Sequence, residues 1–112
     1  MQTEQLLKLV EHVLEERKAL QVKTLDVRGK TSITDYMVIA TATSTRHAKS
    51  LADYVIEKVK EQGEMPLGVE GQAGSDWVLL DLGDVVLHVM TTQAREYYQL
   101  EKLWTVAADK TE

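Results

Sequence analysis

Residues 77–90 read WVLLDLGDVVLHVM and carry the strongest structural signal in the chain. Two runs of aliphatic and β-branched residues flank Gly83 and Asp84, and a glycine followed by a small polar residue suits a two-residue type II′ turn. The stretch therefore predicts a β-hairpin. Counting outward from the turn gives the cross-strand pairs: Leu82 with Val85, Leu80 with Leu87 and Val78 with Val89 on one face, and Asp81 with Val86, Leu79 with His88 and Trp77 with Met90 on the other.

The two faces of this predicted hairpin differ in chemistry. The first face is entirely aliphatic, so it belongs against a hydrophobic core. The second combines an indole, an imidazole and a carboxylate with apolar groups, and it is either a second, less regular core or a surface for a partner. We call this second side of the sheet the mixed face.

The length and composition of the chain predict one soluble domain. With 112 residues, 44% of them hydrophobic and 28% charged, the chain is large enough for one core and too small for two. We expect a single domain over residues 1–106 and a polar tail over residues 107–112. No apolar run approaches the roughly 20 residues that span a bilayer, and the N-terminal residues do not resemble a signal peptide. These features predict a cytoplasmic protein without a membrane anchor.

Charge and cysteine content narrow the functional classes further. The chain has no cysteine, which excludes disulfides, thiolate metal sites and cysteine nucleophiles. Its formal net charge of -5 argues against broad, non-specific binding of nucleic acid, which requires clustered lysine and arginine. A basic protein is a more plausible partner than a nucleic acid.

Residue patterns outside the hairpin predict an α/β fold with a mixed sheet. Helical spacing of apolar residues predicts a helix from about Glu4 to Ala19 capped by Thr3, a second helix after the possible caps Thr43, Ser44 and Thr45 ending at Gly63, and a third after Thr91 or Thr92 reaching about Val106. Strands are expected from Val22, over residues 36–41 and, as a short edge strand, over residues 67–70. Because a helix connects the buried strand at 36–41 to later strands, at least one parallel pair is expected.

The last predicted helix carries aromatic residues on opposite sides. Projected at 100° per residue, Tyr97 shares a face with Leu100, Leu103 and Trp104, whereas Tyr98 lies nearly opposite, beside Ala94 and Arg95. The projection therefore predicts that Tyr98 is an aromatic residue off the core face.

Candidate enzyme sites are weakly supported by the sequence. Residues 41–47, TATSTRH, lie between a strand and a helix N-terminus and could hold a phosphate, but they lack the glycine and the lysine of a phosphate loop, so capping is the better interpretation. Asp81 and Asp84 lie beside the predicted hairpin turn. Turn chemistry already accounts for an aspartate at position 84, so the two carboxylates are a weak candidate for a metal site. His88 lies diagonal to Asp81, which could raise its basicity, but no nucleophile completes a triad, and we expect a surface histidine.

Metal and cofactor sites are not indicated. His12 and His47 have no companion at the spacing of a zinc site. We therefore predict no catalytic residues, no metal and no cofactor.

A binding surface on the mixed face is the better-supported hypothesis. Its candidate contact residues are of types enriched at interface centres, namely Trp77, Tyr98, His88, Met90 and Arg95. Three carboxylates could form an acidic rim for a basic partner, namely Glu70, Asp76 and Asp81. The alternative, that Trp77 only covers a hydrophobic edge, stays open on these grounds.

A series of short motifs runs from about Leu25 to Trp104. The motifs are Thr34-Asp35-Tyr36, Ile39-Ala40-Thr41, Ser44-x-Arg46-His47, Val69-Glu70-Gly71, Asp76-Trp77, Asp81-x-Gly83-Asp84-Val85-x-x-His88-Val89 and Arg95-x-x-Tyr98-x-Leu100-Glu101-x-Leu103-Trp104. In order and spacing they resemble the ribosomal silencing factor (RsfS, Iojap-related) family. Ala42 departs from the glycine that is common there, which makes a phosphate loop less plausible still.

The resemblance implies both a fold and a function. The implied fold is a single α/β domain with a mixed sheet flanked by helices, of nucleotidyltransferase-like topology but without the Gly-Ser and paired-aspartate catalytic motifs of that superfamily. The implied function is binding to the fourteenth protein of the large ribosomal subunit, which blocks joining of the small subunit and represses translation when nutrients are short. Homodimers also occur in the family, so a homodimer is a further expectation.

Two other functions are alternative hypotheses. The first is a nucleotide- or phosphoester-binding enzyme of nucleotidyltransferase-like fold that would use Ser44, Arg46, Asp26 and Asp81. The second is a structural dimer module that has no ribosomal partner.

Overall fold

The order of helices and strands is that of an α/β protein, as the sequence predicts. A computed structural model of the chain describes residues 1–71 and 74–98, and within them it contains three helices and five strands. Their bounds are α1 (Thr3–Glu16), β1 (Leu20–Asp26), β2 (Tyr36–Ala42), α2 (Thr45–Glu61), β3 (Gly68–Glu70), β4 (Trp77–Asp81), β5 (Val85–Thr91) and α3 (Thr92–Tyr98). The predicted continuation of the last helix to about Val106 and the predicted tail lie outside the described residues.

The five strands form one mixed sheet in the order β1-β2-β5-β4-β3. β2 and β5 are parallel, and the other three neighbouring pairs are antiparallel. The expected parallel pair is thus confirmed, and it lies inside the sheet between antiparallel neighbours. The short strand predicted at residues 67–70 is β3, and it lies at the sheet edge as expected.

The β4–β5 hairpin has the predicted register. Trp77 pairs with Met90, Leu79 with His88 and Asp81 with Val86, and the intervening aliphatic residues pair as counted. The turn is closed by the Leu82 N–H, which donates to the Val85 carbonyl at 2.9 Å. Gly83 has a φ of +88°, which a glycine adopts without steric cost and which the predicted turn requires at this position.

The aliphatic face of the sheet is covered by α1 and α2. These two helices and the hairpin bury aliphatic side chains in one cluster, including Leu6, Val10, Val13 and Leu14 of α1, Leu51, Val55 and Val59 of α2, and Val78, Leu80, Leu87 and Val89 of the hairpin. Fully burying one such side chain stabilises the fold by about 1.5 to 3 kcal/mol. Both long helices are therefore committed to one side of the sheet, which leaves the mixed face to α3.

The helix ends differ from the sequence prediction in α1 and agree with it in α2. The cap of α1 is Gln2, not Thr3: the Gln2 backbone N–H donates to Gln5 Oε1 at 3.0 Å, and the Thr3 hydroxyl donates to Asp84 Oδ2 at 2.8 Å. The helix ends at Glu16 and not at Ala19, because Lys18 has a φ of +64°, which a helix cannot contain. Ser44 caps α2 by accepting a hydrogen bond from the backbone N–H of His47.

The mixed face is partly a second, smaller core. Met37, Ile39, Met90 and Ala94 form a buried cluster there, with Leu25 and Trp77 packed at its edge. Ala94 belongs to α3, so this short helix folds back over β2 and β5. Across residues 1–71 and 74–98, no helix has both the length and the apolar character needed to cross a membrane.

Candidate protein-binding site

Three aromatic side chains meet where α3 crosses the end of the hairpin. Trp77 is the first residue of β4 and pairs with Met90 near the end of β5, and α3 follows β5 directly. The helix therefore returns over the tryptophan, with 4.7 Å between the ring centroids of Trp77 and Tyr98 and an interplanar angle of 52°. Tyr97 contacts Tyr98 edge to face, at 5.0 Å. We call Trp77, Tyr97 and Tyr98 the aromatic cluster.

Much of the aromatic cluster is accessible to a partner. Tyr97 is 81% exposed and Tyr98 is 52% exposed, whereas Trp77 is only partly buried. Tilted rings at these separations attract each other by about 0.5 to 1.5 kcal/mol beyond their burial. The cluster is therefore an ordered, exposed aromatic surface of the kind that dominates binding energy in protein interfaces.

The Trp77 indole stands between two clefts, each bordered by one carboxylate. The first cleft has a volume of about 530 Å³ and is lined by Ser75, Asp76, Trp77, Gln93, Ala94, Tyr97 and Tyr98. The second has a volume of about 430 Å³ and is lined by Glu70, Gly71, Trp77 and Leu79. Aromatic rings beside carboxylates attract cations both through the ring faces and through charge, so the two clefts suit lysine or arginine side chains.

Of the three predicted acidic rim residues, two border the clefts and one does not. Glu70 is exposed at the sheet edge. Asp76 is partly buried, and its Oδ1 accepts a hydrogen bond from the Thr91 hydroxyl at 3.4 Å. Asp81 accepts a hydrogen bond from the Gly83 backbone N–H at 2.9 Å, so its carboxylate stabilises the hairpin turn.

His88 is buried beneath the indole, which contradicts the prediction of a surface histidine. Its side chain is 5% exposed, and its Nδ1 accepts a hydrogen bond from the Trp77 Nε1–H at 2.9 Å. Burial lowers the pKa of His88 from 6.5 to about 4. The prediction that Asp81 could raise its basicity is therefore wrong, because desolvation of the charged ring determines the direction.

The indole bond also fixes the tautomer of His88. An indole N–H can only donate, so Nδ1 must be unprotonated, and a neutral ring then carries its proton on Nε2. Within the described part of the chain, that buried Nε2–H has no hydrogen-bond acceptor. A buried donor without a partner costs about 1 to 3 kcal/mol. Among the described residues, the hydrogen bond that the ring makes is therefore the one that it accepts from Trp77 through Nδ1.

Two more predicted contact residues lie beneath the surface. Met90 is fully buried in the small core. Arg95 is only 9% exposed, and its guanidinium donates to the Thr41 hydroxyl at 2.8 Å and to the Gln21 backbone carbonyl. Both residues support α3 and the aromatic cluster from below, and neither presents its side chain to a partner.

The prediction for the face of α3 is wrong: Tyr97 points outward, and Tyr98 lies on the same side as the buried Ala94 and Arg95, where it packs against Trp77 while staying 52% exposed. Tyr97 was expected on the core side and is the most exposed of the described tyrosines. Ala94 and Arg95 are the buried residues of α3 and define its core side. Ala94 is small, which allows the helix to approach Met90 closely. Leu100, Leu103 and Trp104, which defined the predicted core face, lie outside the described residues. Ala94, three residues after the end of β5, is the sequence signal for the inward face.

The residues proposed for an alternative enzyme do not form one site. Ser44 caps α2, and Asp26 binds Arg28 through an ion pair of 2.7 Å at the end of β1. Asp81 lies in β4, which β2 and β5 separate from β1. The cleft beside Arg46 has a volume of about 580 Å³, but its Lys49 is already paired with Asp53 at 2.7 Å. Across residues 1–71 and 74–98, no three histidine, aspartate or glutamate side chains are grouped to hold a metal.

The structure is thus an α/β domain with an exposed aromatic cluster beside two clefts that include the carboxylates Asp76 and Glu70. All 112 residues match the sequence model of a family described as "Ribosomal silencing factor during starvation". The chain belongs to this family of ribosomal silencing factors, as the motif resemblance predicts.

Individual relatives agree with this assignment. The ribosomal silencing factor RsfS of Haemophilus influenzae is 43% identical over 99 residues, which cover 88% of this chain and 97% of the relative. A mouse protein named "Mitochondrial assembly of ribosomal large subunit protein 1" is 34% identical over 97 residues, covering 84% of this chain and 42% of the mouse protein. A crystal structure of a protein from Chromobacterium violaceum superposes with a TM-score of 0.90 at 41% identity, covering 94% of this chain and 88% of that one.

Proposed function

We propose that this protein represses translation by binding the large ribosomal subunit and blocking joining of the small subunit. The contact on the large subunit is its fourteenth protein, and the condition is nutrient limitation. Membership of the silencing-factor family supports the general role. The name of the mouse relative, which refers to assembly of the ribosomal large subunit, supports the choice of that subunit.

The aromatic cluster between two acidic clefts is the observation that carries this proposal. Ribosomal proteins are basic, and the net charge of this chain is -5, so charges of opposite sign favour association. Trp77 and Tyr98 supply the apolar contact area, while Glu70 and Asp76 border it with negative charge. In this arrangement Met90, His88 and Arg95 act from beneath the contact surface.

Blocking requires only overlap and no chemistry. A folded domain of this size, held on the face of the large subunit that meets the small subunit, excludes the small subunit sterically. Binding and inhibition should therefore be lost together when the contact surface is damaged.

The test compares single truncations of the contact surface with a matched control. Trp77→Ala and Tyr98→Ala should each weaken binding to isolated large subunits by roughly thirtyfold, equivalent to about 2 kcal/mol. Ile33→Ala removes a side chain that is 80% exposed in the loop before β2, at the opposite end of β2 from Thr41, and it should bind as the parent does. Co-sedimentation with purified large and small subunits measures binding, and re-association of the two subunits measures inhibition.

Two outcomes contradict different parts of the proposal. If a folded variant loses large-subunit binding yet still inhibits joining, steric occlusion is the wrong mechanism. If Trp77→Ala and Tyr98→Ala both bind as the parent does, the aromatic cluster is not the docking site.

The alternative function as an enzyme has its own test. A ligand that binds only the folded protein must raise its melting temperature. We expect no rise with Mg²⁺ and nucleotides and no turnover of phosphoesters. A rate that survives purification and disappears in Asp81→Ala would favour the enzyme.

The mass of the purified protein in solution decides between a monomer and the homodimer expected from the resemblance.

A further inference from the structure

We propose that His88 is a positioning residue for partner binding, which acts by holding the Trp77 indole in one orientation through its Nδ1. This inference rests on the proposed function, because it assumes that Trp77 contacts the partner. It assigns His88 a role that does not require contact with the partner at all.

The geometry explains how one buried atom can set an exposed ring. The Trp77 indole is held at its Nε1 by His88, at 2.9 Å, and it contacts the Tyr98 ring at 4.7 Å between centroids. A hydrogen bond at the edge of the indole fixes rotation of the ring, and the ring contact then fixes its tilt. Trp77 lines both clefts, so the orientation of its indole affects the shape of both.

The alternatives to positioning account poorly for a histidine here. A direct contact is disfavoured because the side chain is 5% exposed and lies beneath the tryptophan. Simple packing is also disfavoured, because Nε2 is buried with no acceptor within residues 1–71 and 74–98, and an aliphatic residue would fill the space without that penalty. The feature that histidine provides and leucine does not is an acceptor for the indole N–H.

The physical benefit is pre-organisation of the contact surface. An indole that is free to rotate must be ordered when the partner binds, whereas an indole that is already held does not carry that cost. Loss of the acceptor should therefore weaken binding by about threefold to tenfold, the effect of ordering one side chain. The loss should be smaller than the roughly thirtyfold loss on removing the Trp77 ring itself.

Two substitutions at position 88 separate positioning from structural support. His88→Leu fills the space but cannot accept a hydrogen bond, and His88→Asn places an acceptor oxygen close to the position of Nδ1. We expect His88→Leu to resist urea about as well as the parent, because it removes the unpaired His88 Nε2–H but leaves the Trp77 Nε1–H without its acceptor, and yet to bind large subunits threefold to tenfold more weakly. His88→Asn should restore binding even though its side chain fills the space less well.

The indole proton gives a direct readout of the bond. In a ¹⁵N-labelled sample each of the two tryptophans gives one indole N–H signal, and Trp77→Phe identifies that of Trp77. We expect His88→Leu to shift the Trp77 signal and His88→Asn to keep it near its original position. Val86→Ala, which truncates a buried neighbour on the mixed face, should lower stability while leaving both the signal and binding unchanged.

The outcomes distinguish failure of this inference from failure of the proposed function. If Trp77→Ala weakens binding but His88→Leu binds as the parent does, the docking site stands and positioning by His88 is overturned. If His88→Leu and His88→Asn lose binding equally, the acceptor is not the relevant feature and the inference is overturned. If Trp77→Ala binds as the parent does, the proposed site fails, and the inference fails with it.

Discussion

The guanidinium of Arg95 in α3 reaches the hydroxyl of Thr41 in β2 at 2.8 Å, from a side chain that is 91% buried. The same guanidinium donates to the backbone carbonyl of Gln21, a residue of β1 with a φ of +46° beside an irregularity in the strand register. One side chain thus connects the last described helix to two strands. It also holds the strained residue of the edge strand in place.

Arg95→Met should therefore destabilise the fold substantially. Hydrogen bonds to a charged group contribute about 1.5 to 3 kcal/mol, and their loss leaves the carbonyl of Gln21 without this donor. We expect the free energy of unfolding to fall by about 2 to 3 kcal/mol, measured from urea midpoints at constant slope. Arg46→Met, the same change at an exposed arginine of α2, should alter it by no more than about 0.5 kcal/mol. Equal effects of the two substitutions would contradict this account.

Stability should depend on pH through His88. Its pKa is lowered from 6.5 to about 4 in the folded protein, so the unfolded chain takes up the proton first as the pH falls. This contribution to stability is complete above about pH 6.5 and is lost progressively down to about pH 4. Between pH 7 and pH 5, protonation of His88 should lower the free energy of unfolding of the parent by about 2 kcal/mol. His88→Leu lacks this group, so its free energy of unfolding should fall by about 2 kcal/mol less over the same range. Urea unfolding of both proteins at the two pH values measures this difference. If the parent and His88→Leu lose the same free energy of unfolding between pH 7 and pH 5, the prediction is contradicted.

Glycine should be required at position 71 and only favoured at position 74. Both residues have positive φ, +96° and +90°. A Cβ on Gly71 would lie 2.6 Å from the Trp77 carbonyl oxygen, a backbone atom that cannot move alone, whereas a Cβ on Gly74 would meet no described atom within 4 Å. We expect Gly74→Ala to cost about 1 to 2 kcal/mol from its backbone conformation alone. Gly71→Ala should cost about 1 to 3 kcal/mol more. Thermal unfolding of the pair tests the difference, and equal melting temperatures would show that the close approach is not tight.

The acidic border should act mainly on the rate of association. Glu70→Lys should slow association with large subunits about threefold or more at low ionic strength, because rim charges steer the encounter. The difference should nearly vanish at about 1 M salt, where the screening length is about 3 Å. Glu57→Lys makes the same change in net charge on α2, on the opposite side of the sheet, and it should have the smaller effect. If the two variants slow association equally, net charge and not the position of Glu70 is responsible.

The pairing of β4 with β5 could be predicted from the sequence because it depends on local counting. The two-residue turn at Gly83 fixes the register, and the alternation of residues then assigns each side chain to a face. The apolar stripe of α2 was equally clear, because one helical face accounts for all its buried residues. These predictions needed no knowledge of neighbouring elements.

The wrong predictions concern which elements pack over a face of the sheet or a helix. The alternation of residues along a strand assigns a side chain to a face but does not show what covers that face. His88 was assigned to the correct face but was expected at the surface, because the sequence does not show that Trp77 lies over it. Tyr97 was misplaced because the inward side of α3 depends on its packing against Met90. Residue preference predicts Thr3 as the cap of α1, but its hydroxyl donates to Asp84, which lies far away in sequence. In each case a contact between distant segments overrode a local preference.

The parallel pairing of β2 with β5 has a consequence for when the protein can act during its own synthesis. Residue 36 pairs with residue 85, so the interior of the sheet cannot form until β5 has emerged from the ribosome. Trp77 precedes β5 and Tyr98 follows it, so the docking surface assembles last. A growing chain whose β5 and Tyr98 have not yet emerged therefore lacks this surface. Under the proposed function, such a chain cannot silence a ribosome, and the ability to bind appears only after the segment up to Tyr98 has folded.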